Sequence, residues 1–248
     1  DFPHANLCRS VTNLFDGRRK FDICVAPSRK RSGMGIIMEN KGILTVISGF
    51  SGAGKGTLVK ALIKKYDNYA LSVSMTTRKP REGERDGVEY FFTDREHFEE
   101  TIRRNGLIEY AQYCDNYYGT PRDYVERQMQ AGNNVILEIE IQGALKIKEQ
   151  FPESLLIFVT PPSGEELKRR LVKRGTESED VIAKRLARAA EESEGIEAYD
   201  YIAVNDDLDV CVEEVHQLVE ASRRAPVRRE AFIQQIRNEL KAFAKGAQ

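Results

Sequence analysis

The sequence predicts an α/β fold: a parallel sheet flanked by helices, with a smaller subdomain inserted in it. Three observations carry that prediction. Runs at 43–47, 134–139 and 155–159 are short, apolar and rich in β-branched residues, as strands buried on both faces are. Each is followed by a stretch with helical periodicity, and strands that alternate with helices imply right-handed crossovers. Between the first helix and the second strong strand lie about seventy residues of another character, rich in Tyr, Thr, Arg and Gly.

The elements follow in order. Residues 1–40 show no sustained pattern and carry the basic runs Arg18-Arg19-Lys20 and Arg29-Lys30-Arg31. They read as a disordered or non-native extension, with translation starting at Met34 or Met38. The strand at 43–47 ends at Ser48-Gly49, and helical spacing resumes over 57–65. The insert, about 73–125, holds short strand-like pieces such as Glu89-Tyr90-Phe91-Phe92. A weaker strand is expected at 201–204. A basic helical stretch runs over 168–188. The tail, 223–248, is basic and amphipathic, with Phe232, Ile236, Leu240 and Phe243 at helical spacing. It reads as a helix docked on the parent domain, with self-association or a partner helix as the alternative.

Charge is uneven along the chain. The total is −1, from 38 basic and 39 acidic side chains. Residues 1–41 carry +4, residues 222–248 carry +5, and the body between them carries −10. That balance disfavours a nucleic-acid binder, which needs a cationic surplus. No run reaches the roughly 18 apolar residues of a membrane span, so neither nucleic acid nor membrane is expected as a partner. Cys8, Cys24, Cys114 and Cys211 form no C-x-x-C pair and read as reduced thiols of a cytoplasmic protein. His4, His97 and His216 are too scattered for a metal site.

Gly49-Phe50-Ser51-Gly52-Ala53-Gly54-Lys55-Gly56-Thr57, between a strand and a helix, is the strongest signal. Glycines let backbone N–H groups converge on phosphate oxygens, the helix N-terminus adds its dipole, and Lys55 adds a point charge. The segment therefore reads as the phosphate loop of a P-loop NTPase core. Gly56 stands where that motif has Ser or Thr, so the hydroxyl that would face Mg²⁺ is missing. The Gly-Lys-Gly-Thr version resembles that of adenylate kinase-like enzymes.

The insert adds Ser72-Val73-Ser74-Met75-Thr76-Thr77-Arg78-Lys79-Pro80-Arg81-Glu82-Gly83-Glu84, Gly87-Val88-Glu89-Tyr90, Ile108-Glu109-Tyr110-Ala111 and Asn116-Tyr117-Tyr118-Gly119-Thr120. With these motifs in this order, residues 43–218 resemble the guanylate kinases, which convert ATP and GMP to ADP and GDP. The resemblance implies a P-loop core, a GMP-binding insert and a helical lid at about 163–190. Arg78 and Arg81 are planar forks suited to the GMP phosphate. The resemblance adds the Tyr90 and Tyr118 hydroxyls to that phosphate. It also gives Glu109, Ser74 and Thr120 the base. A carboxylate complements the N1–H and amine of guanine and rejects the bare N1 of adenine.

Glu138 and Glu140, two residues apart on one predicted strand, share a face; the resemblance gives them contacts to GMP and to Mg²⁺-bound water. Arg170, Arg174 and Arg185 match the lid's catalytic arginines, and Asn205 matches the residue beside the adenine. No protein metal site is expected, since Mg²⁺ would be held mainly by ATP phosphates and water. The resemblance leaves monomer or homodimer open. Two other classes stay in view: a guanylate kinase-like module that binds phosphorylated peptides, and an enzyme for another phosphorylated acceptor. Lys55 and the retained arginines argue against the first, and Glu109 with Ser74 and Thr120 against the second.

Overall fold

The computed structural model describes residues 41–113, 115–173 and 178–246, all within the compact unit Ile37–Gln248. The expected start at Met34 or Met38 and the extension 1–40 lie outside the described residues. In chain order the strands are β1 (Leu44–Gly49), β2 (Tyr69–Leu71), β3 (Met75–Thr76), β4 (Phe91–Phe92), β5 (Leu107–Tyr113), β6 (Asn116–Pro121), β7 (Asn134–Glu138), β8 (Leu155–Thr160) and β9 (Tyr201–Val204). The helices are α1 (Lys55–Lys65), α2 (Arg95–Arg103), α3 (Arg122–Gln130), α4 (Ile141–Gln150), α5 (Gly164–Lys173), α6 (Glu179–Ser193), α7 (Leu208–Ser222) and α8 (Glu230–Gly246).

Five strands form one parallel sheet in the order β2-β7-β1-β8-β9. Its apolar runs are explained by two-sided burial. Ile43 and Ile47, with Ile136, Ile157 and Val159, pack under α1 and α7. The alternate residues Leu44 and Val46, with Val135, Leu137, Leu156 and Phe158, pack under α3 and α4. Period-two alternation thus feeds two separate cores from the same strands. Leu167, Leu171, Ile182 and Ala189 make a third, smaller cluster between α5 and α6.

The insert is a second sheet of four strands, β4-β3-β6-β5, in which β6 runs antiparallel to both neighbours. It is tied down locally: Asp94 caps α2 by accepting from the His97 N–H at 2.7 Å, and Phe98 of that helix is fully buried. Phe98 stacks on Tyr117 of β6, with centroids 5.2 Å apart.

The strands predicted at 43–47, 155–159 and 201–204 are present. The strand predicted to 139 stops at Glu138 instead, and Glu140 occupies the N-cap position of α4. Glu138 and Glu140 are therefore not two rungs of one strand. The tail forms α8, but it is not docked along its apolar stripe: Ile236 is 38%, Leu240 61% and Phe243 73% exposed. Helical periodicity reports an amphipathic helix; it carries no information about where a complementary surface lies. Cys211 is buried in α7, and burial pushes its thiol up to about 11; Cys8, Cys24 and Cys114 lie outside the described residues.

Phe158 sits at the centre of the α3–α4 side, in edge contact with Phe50 at 5.0 Å and Tyr199 at 5.2 Å. Phe158→Ala should cost about 3–5 kcal/mol. In urea unfolding this lowers the midpoint with little change in slope; a loss below 1 kcal/mol would mean that the site collapses around the cavity.

Candidate active site

The phosphate loop leaves the C-terminal end of the central strand β1. Gly54 is the N-cap of α1 at φ 92°, and a Cβ there would lie 2.5 Å from Asn205 Nδ2. Both the left-handed backbone and the close approach exclude a side chain. Three of the loop's carbonyls, those of Gly49, Phe50 and Ala53, are already occupied. Gly49 O and Phe50 O accept from Lys55 Nζ at 2.7 and 3.1 Å, and Phe50 O also accepts from the Ala53 N–H. Ala53 O accepts from Asn205 Nδ2 at 2.8 Å and Arg170 Nη1 at 3.5 Å. Arg185 Nη1 donates to Ser51 Oγ at 2.7 Å. Two of the three lid arginines therefore touch the loop, while Arg174 lies outside the described residues. Gly52, Gly56 and the exposed Thr57 complete the segment.

Glu166 governs the lid end. Hydrogen bonds from Arg169 and then Arg170 pull its carboxyl down to about 2, and Arg170 Nε lies 2.6 Å from it. Arg188 of α6 reaches across to Glu140 at 2.7 Å.

On the insert, Arg78 donates through Nη2 to Glu84 Oε1 at 2.8 Å and through Nη1 to the Lys79 carbonyl at 2.8 Å. Its guanidinium lies 5.3 Å from the Tyr90 ring centroid, and the Tyr90 and Tyr118 rings meet at 6.1 Å. Glu84 Oε2 accepts the Arg81 backbone N–H at 2.8 Å, whereas Arg81 itself is exposed. Glu109 Oε1 accepts from the buried Thr120 hydroxyl at 2.7 Å. Burial raises the Glu109 carboxyl above the usual carboxylate range, against the opposing pull of Thr120 and Lys146.

One cleft of about 610 Å³ joins these halves. Its wall includes Gly49, Ser51 and Lys55 from the loop, Ser74 and Tyr90 from the insert, Glu138 and Glu140 below, and Arg185 above. The loop and the insert are thus two stations on one cleft, although Arg78, Arg81, Glu109, Tyr118 and Thr120 are not among the residues that line it.

A sequence profile described as guanylate kinase matches residues 41–222. The chain belongs to the guanylate kinase family. The guanylate kinase of Desulfitobacterium hafniense is 50% identical over 195 residues, covering 79% of this chain and 97% of that protein. That of Caldanaerobacter subterraneus is 48% identical over 202 residues, covering 82% and 98%. The crystal structure of the guanylate kinase from Anaplasma phagocytophilum superposes with a TM-score of 0.59 at 34% identity, covering 77% of this chain and 91% of that one. As a guanylate kinase family member the chain is a nucleoside monophosphate kinase, an ATP:GMP phosphotransferase.

Several contributors to this site were not singled out from the sequence. Glu84 lies in a quoted motif, yet only the fold shows it gripping Arg78. Glu166 and Arg188 lie at or beside the basic helical stretch, with no sequence signal that sets them apart from its other charges. Phe50 reads as a loop residue, but its ring packs against all three apolar clusters. The only sequence signal for that was an aromatic in a loop of otherwise small residues.

Glu109 gives a stability prediction with a definite sign. A raised folded-state pKa means that the native state holds this proton more tightly than the unfolded chain does. Stability is then highest below the ordinary carboxylate range and falls as pH rises through the raised value. Glu109→Gln keeps an acceptor for Thr120 and removes the charge. The melting temperature of the variant minus that of the parent should be near zero at pH 4 and positive at pH 7. A difference independent of pH would refute the assignment.

Proposed function

We propose that the two stations divide the reaction as follows: the loop Gly49–Thr57 holds the ATP phosphates, and the insert holds GMP or dGMP. The single observation behind this reading is the shared cleft, in which Lys55 and Arg185 face Ser74 and Tyr90. Transfer is in line from the ATP γ-phosphate to the GMP phosphate. The acceptor oxygen is already anionic, so no covalent enzyme intermediate and no general base is required; positioning and charge stabilisation carry the catalysis.

Each residue's part follows from its chemistry. The Lys55 ammonium, now on two loop carbonyls, turns to the β- and γ-phosphates when they arrive. Arg78, Arg81, Tyr90 and Tyr118 hold the acceptor phosphate, with Glu84 fixing the Arg78 fork until then. Glu109 accepts from guanine N1–H and the amine, while Thr120 and Ser74 orient the base. Arg170, Arg174 and Arg185 meet the charge that builds on the transferred group and help exclude water. Asn205 acts on the ATP side, its amide holding the loop beneath the nucleotide.

We also propose Mg²⁺ as the metal that accompanies ATP, where it would neutralise the charge of the donor phosphates. The residues fit a metal held mostly by phosphate and water. Among the described residues no group of three or more His, Cys, Asp or Glu side chains is placed to hold a metal ion. A Cβ on Gly56 would lie 3.6 Å from Glu138 Oε2, so Glu138 borders the place of the missing hydroxyl and is suited to a metal-bound water. With Glu140 beside it, the pair lines the floor of the cleft. The family's metabolic setting suggests purine nucleotide metabolism and GMP recycling in the cytoplasm. No helix among the described residues is long and apolar enough to cross a membrane.

A coupled assay with ATP and GMP, dGMP, AMP or IMP tests the reading. ADP release should require GMP or dGMP, and AMP should give at most about 1% of that rate, since a guanine-reading site rejects an analogue lacking its donors by large factors. Equal turnover of AMP would overturn the role of Glu109. Lys55→Ala should lower kcat at least about a hundredfold with an unchanged melting temperature; near-normal kcat would remove Lys55 from the mechanism. Gly56→Ser has room at ordinary contact distance. It should fold normally and lower the Mg²⁺ concentration that gives half-maximal rate, and an unchanged requirement would show that this position does not face the metal.

A further inference from the structure

A second cavity, about 320 Å³, opens at the opposite end of the parallel sheet, beneath the first residues of β1 and the turn into β8. It is bordered by Lys41, Ser154, Arg223 and Arg228, together with the carboxylates Glu153 and Glu230. Arg223 and Arg228 belong to the basic tail, past residue 222, where the match to the family profile ends. None of these residues takes part in the cleft at the far ends of the strands.

Arg223 is engaged, donating to Asn134 Oδ1 at 2.6 Å, Glu220 Oε1 at 3.1 Å and the Lys41 carbonyl at 3.4 Å, but other polar groups here are short of partners. Arg228 is only 14% exposed in its side chain, and its Nε is buried with no partner among the described residues. Its Nη2 donates to the Glu153 carbonyl, and its Nη1 lies 3.9 Å from the Glu153 carboxylate, at the limit of an ion pair. The same carboxylate lies 3.9 Å from Lys41. Ser154 is 2% exposed, and its Oγ likewise has no partner among the described residues. Leaving a charged donor and a hydroxyl unsatisfied in the interior is costly, and such groups commonly mark a bound water or ion. Burial, with the nearby Arg223 charge, pushes the Arg228 guanidinium below its ordinary range. The cavity also receives the start of α8, a 17-residue helix whose first-turn N–H groups lack helical acceptors and whose dipole favours an anion.

We propose that this cavity binds a small phosphate-type oxyanion, held by Arg228, Lys41 and the Ser154 hydroxyl at the start of α8, with Arg223 adding its charge from the wall. Glu153 and Glu230 are its competitors. Glu153 spans two cations at 3.9 Å and satisfies neither closely, so an anion between them gains shorter, charge-assisted bonds. Binding fastens the segment after α7 to the strand edge. It therefore stabilises the folded chain by mass action.

The test uses the full chain with both nucleotide stations filled by an adenosine–guanosine analogue joined through phosphates, so that added phosphate cannot report from the cleft. Inorganic phosphate is titrated at constant ionic strength against chloride. Readouts are the amide NMR resonances of Ser154 and Ala231 and the thermal midpoint. Saturable shifts at these amides and a phosphate-dependent rise in midpoint are expected. Arg228→Gln should weaken phosphate at least tenfold while kcat for GMP stays within twofold. Absence of saturable shifts, equal shifts with chloride, or unchanged affinity in Arg228→Gln would overturn the proposal. Ser154→Ala, a smaller change that keeps both arginines, carries the same test should Arg228→Gln fold poorly, and unaltered phosphate affinity there also overturns it.

Discussion

An anion cradle made of backbone must present N–H groups and hide carbonyls, and the rest of this molecule is arranged around that requirement. Every peptide that offers an N–H also carries a carbonyl of opposite polarity. In the loop after β1 the carbonyls of Gly49, Phe50 and Ala53 are each taken by an internal donor: Lys55, the Ala53 N–H, Asn205 or Arg170. Two of those donors, Asn205 and Arg170, come from distant parts of the chain. Asn205 arrives because β9 pairs with β8, which pairs with β1. A central position for β1 is thus more than a packing solution; it places neighbouring strand ends where they can mask the loop.

The same logic explains how a body carrying −10 can bind two polyanions. Net charge acts over distances that salt screens, whereas a phosphate responds to the few groups within hydrogen-bond reach. The acidic side chains near the cleft serve mainly to hold cations. Glu84 holds Arg78 and the Arg81 backbone, Glu166 holds Arg170, and Glu140 holds Arg188. A carboxylate that grips a guanidinium before a phosphate arrives keeps the fork from collapsing onto other partners, which lowers the ordering cost of binding. Glu109 does not hold a cation. Its counterpart is a hydroxyl rather than a cation, and its carboxyl is raised, as befits a group awaiting the donors of a base.

What could be read from the chain follows from how far each interaction reaches. The loop lies within a few contiguous residues, so residue type and spacing disclosed it, whereas the parts of Arg78, Arg81 and Glu109 were legible through the family resemblance that their motifs carry. The parallel sheet was legible because two-sided burial leaves continuous apolar runs. Glu140 was misplaced because alternation continues in the sequence after the backbone has turned into α4. The work of Asn205 on Ala53, 152 residues away, and the meeting of three cores at Phe50 depend on topology. No local pattern encodes them. The exposed stripe of α8 belongs to the same class: its sequence specifies a helix with an apolar side, and only tertiary structure decides what that side meets.

The lid shows why catalysis and stability are kept on different parts of the fold. Leu167, Leu171, Ile182 and Ala189 give α5 and α6 a core of their own, much smaller than the two that clamp the sheet. A module with little shared apolar area can move without disturbing the strands, and segments that move in a catalytic cycle come from the less stable end of a structure. Its links to the rest are mostly polar: Arg185 on Ser51, Arg170 on Ala53 and Arg188 on Glu140. Such contacts can be exchanged for phosphate oxygens at small net cost, because one charge-assisted hydrogen bond replaces another. Phe50 is an apolar tie, packed from the loop against all three clusters. On the proposed reading, a displacement of α5 and α6 would therefore be felt at the loop through Phe50.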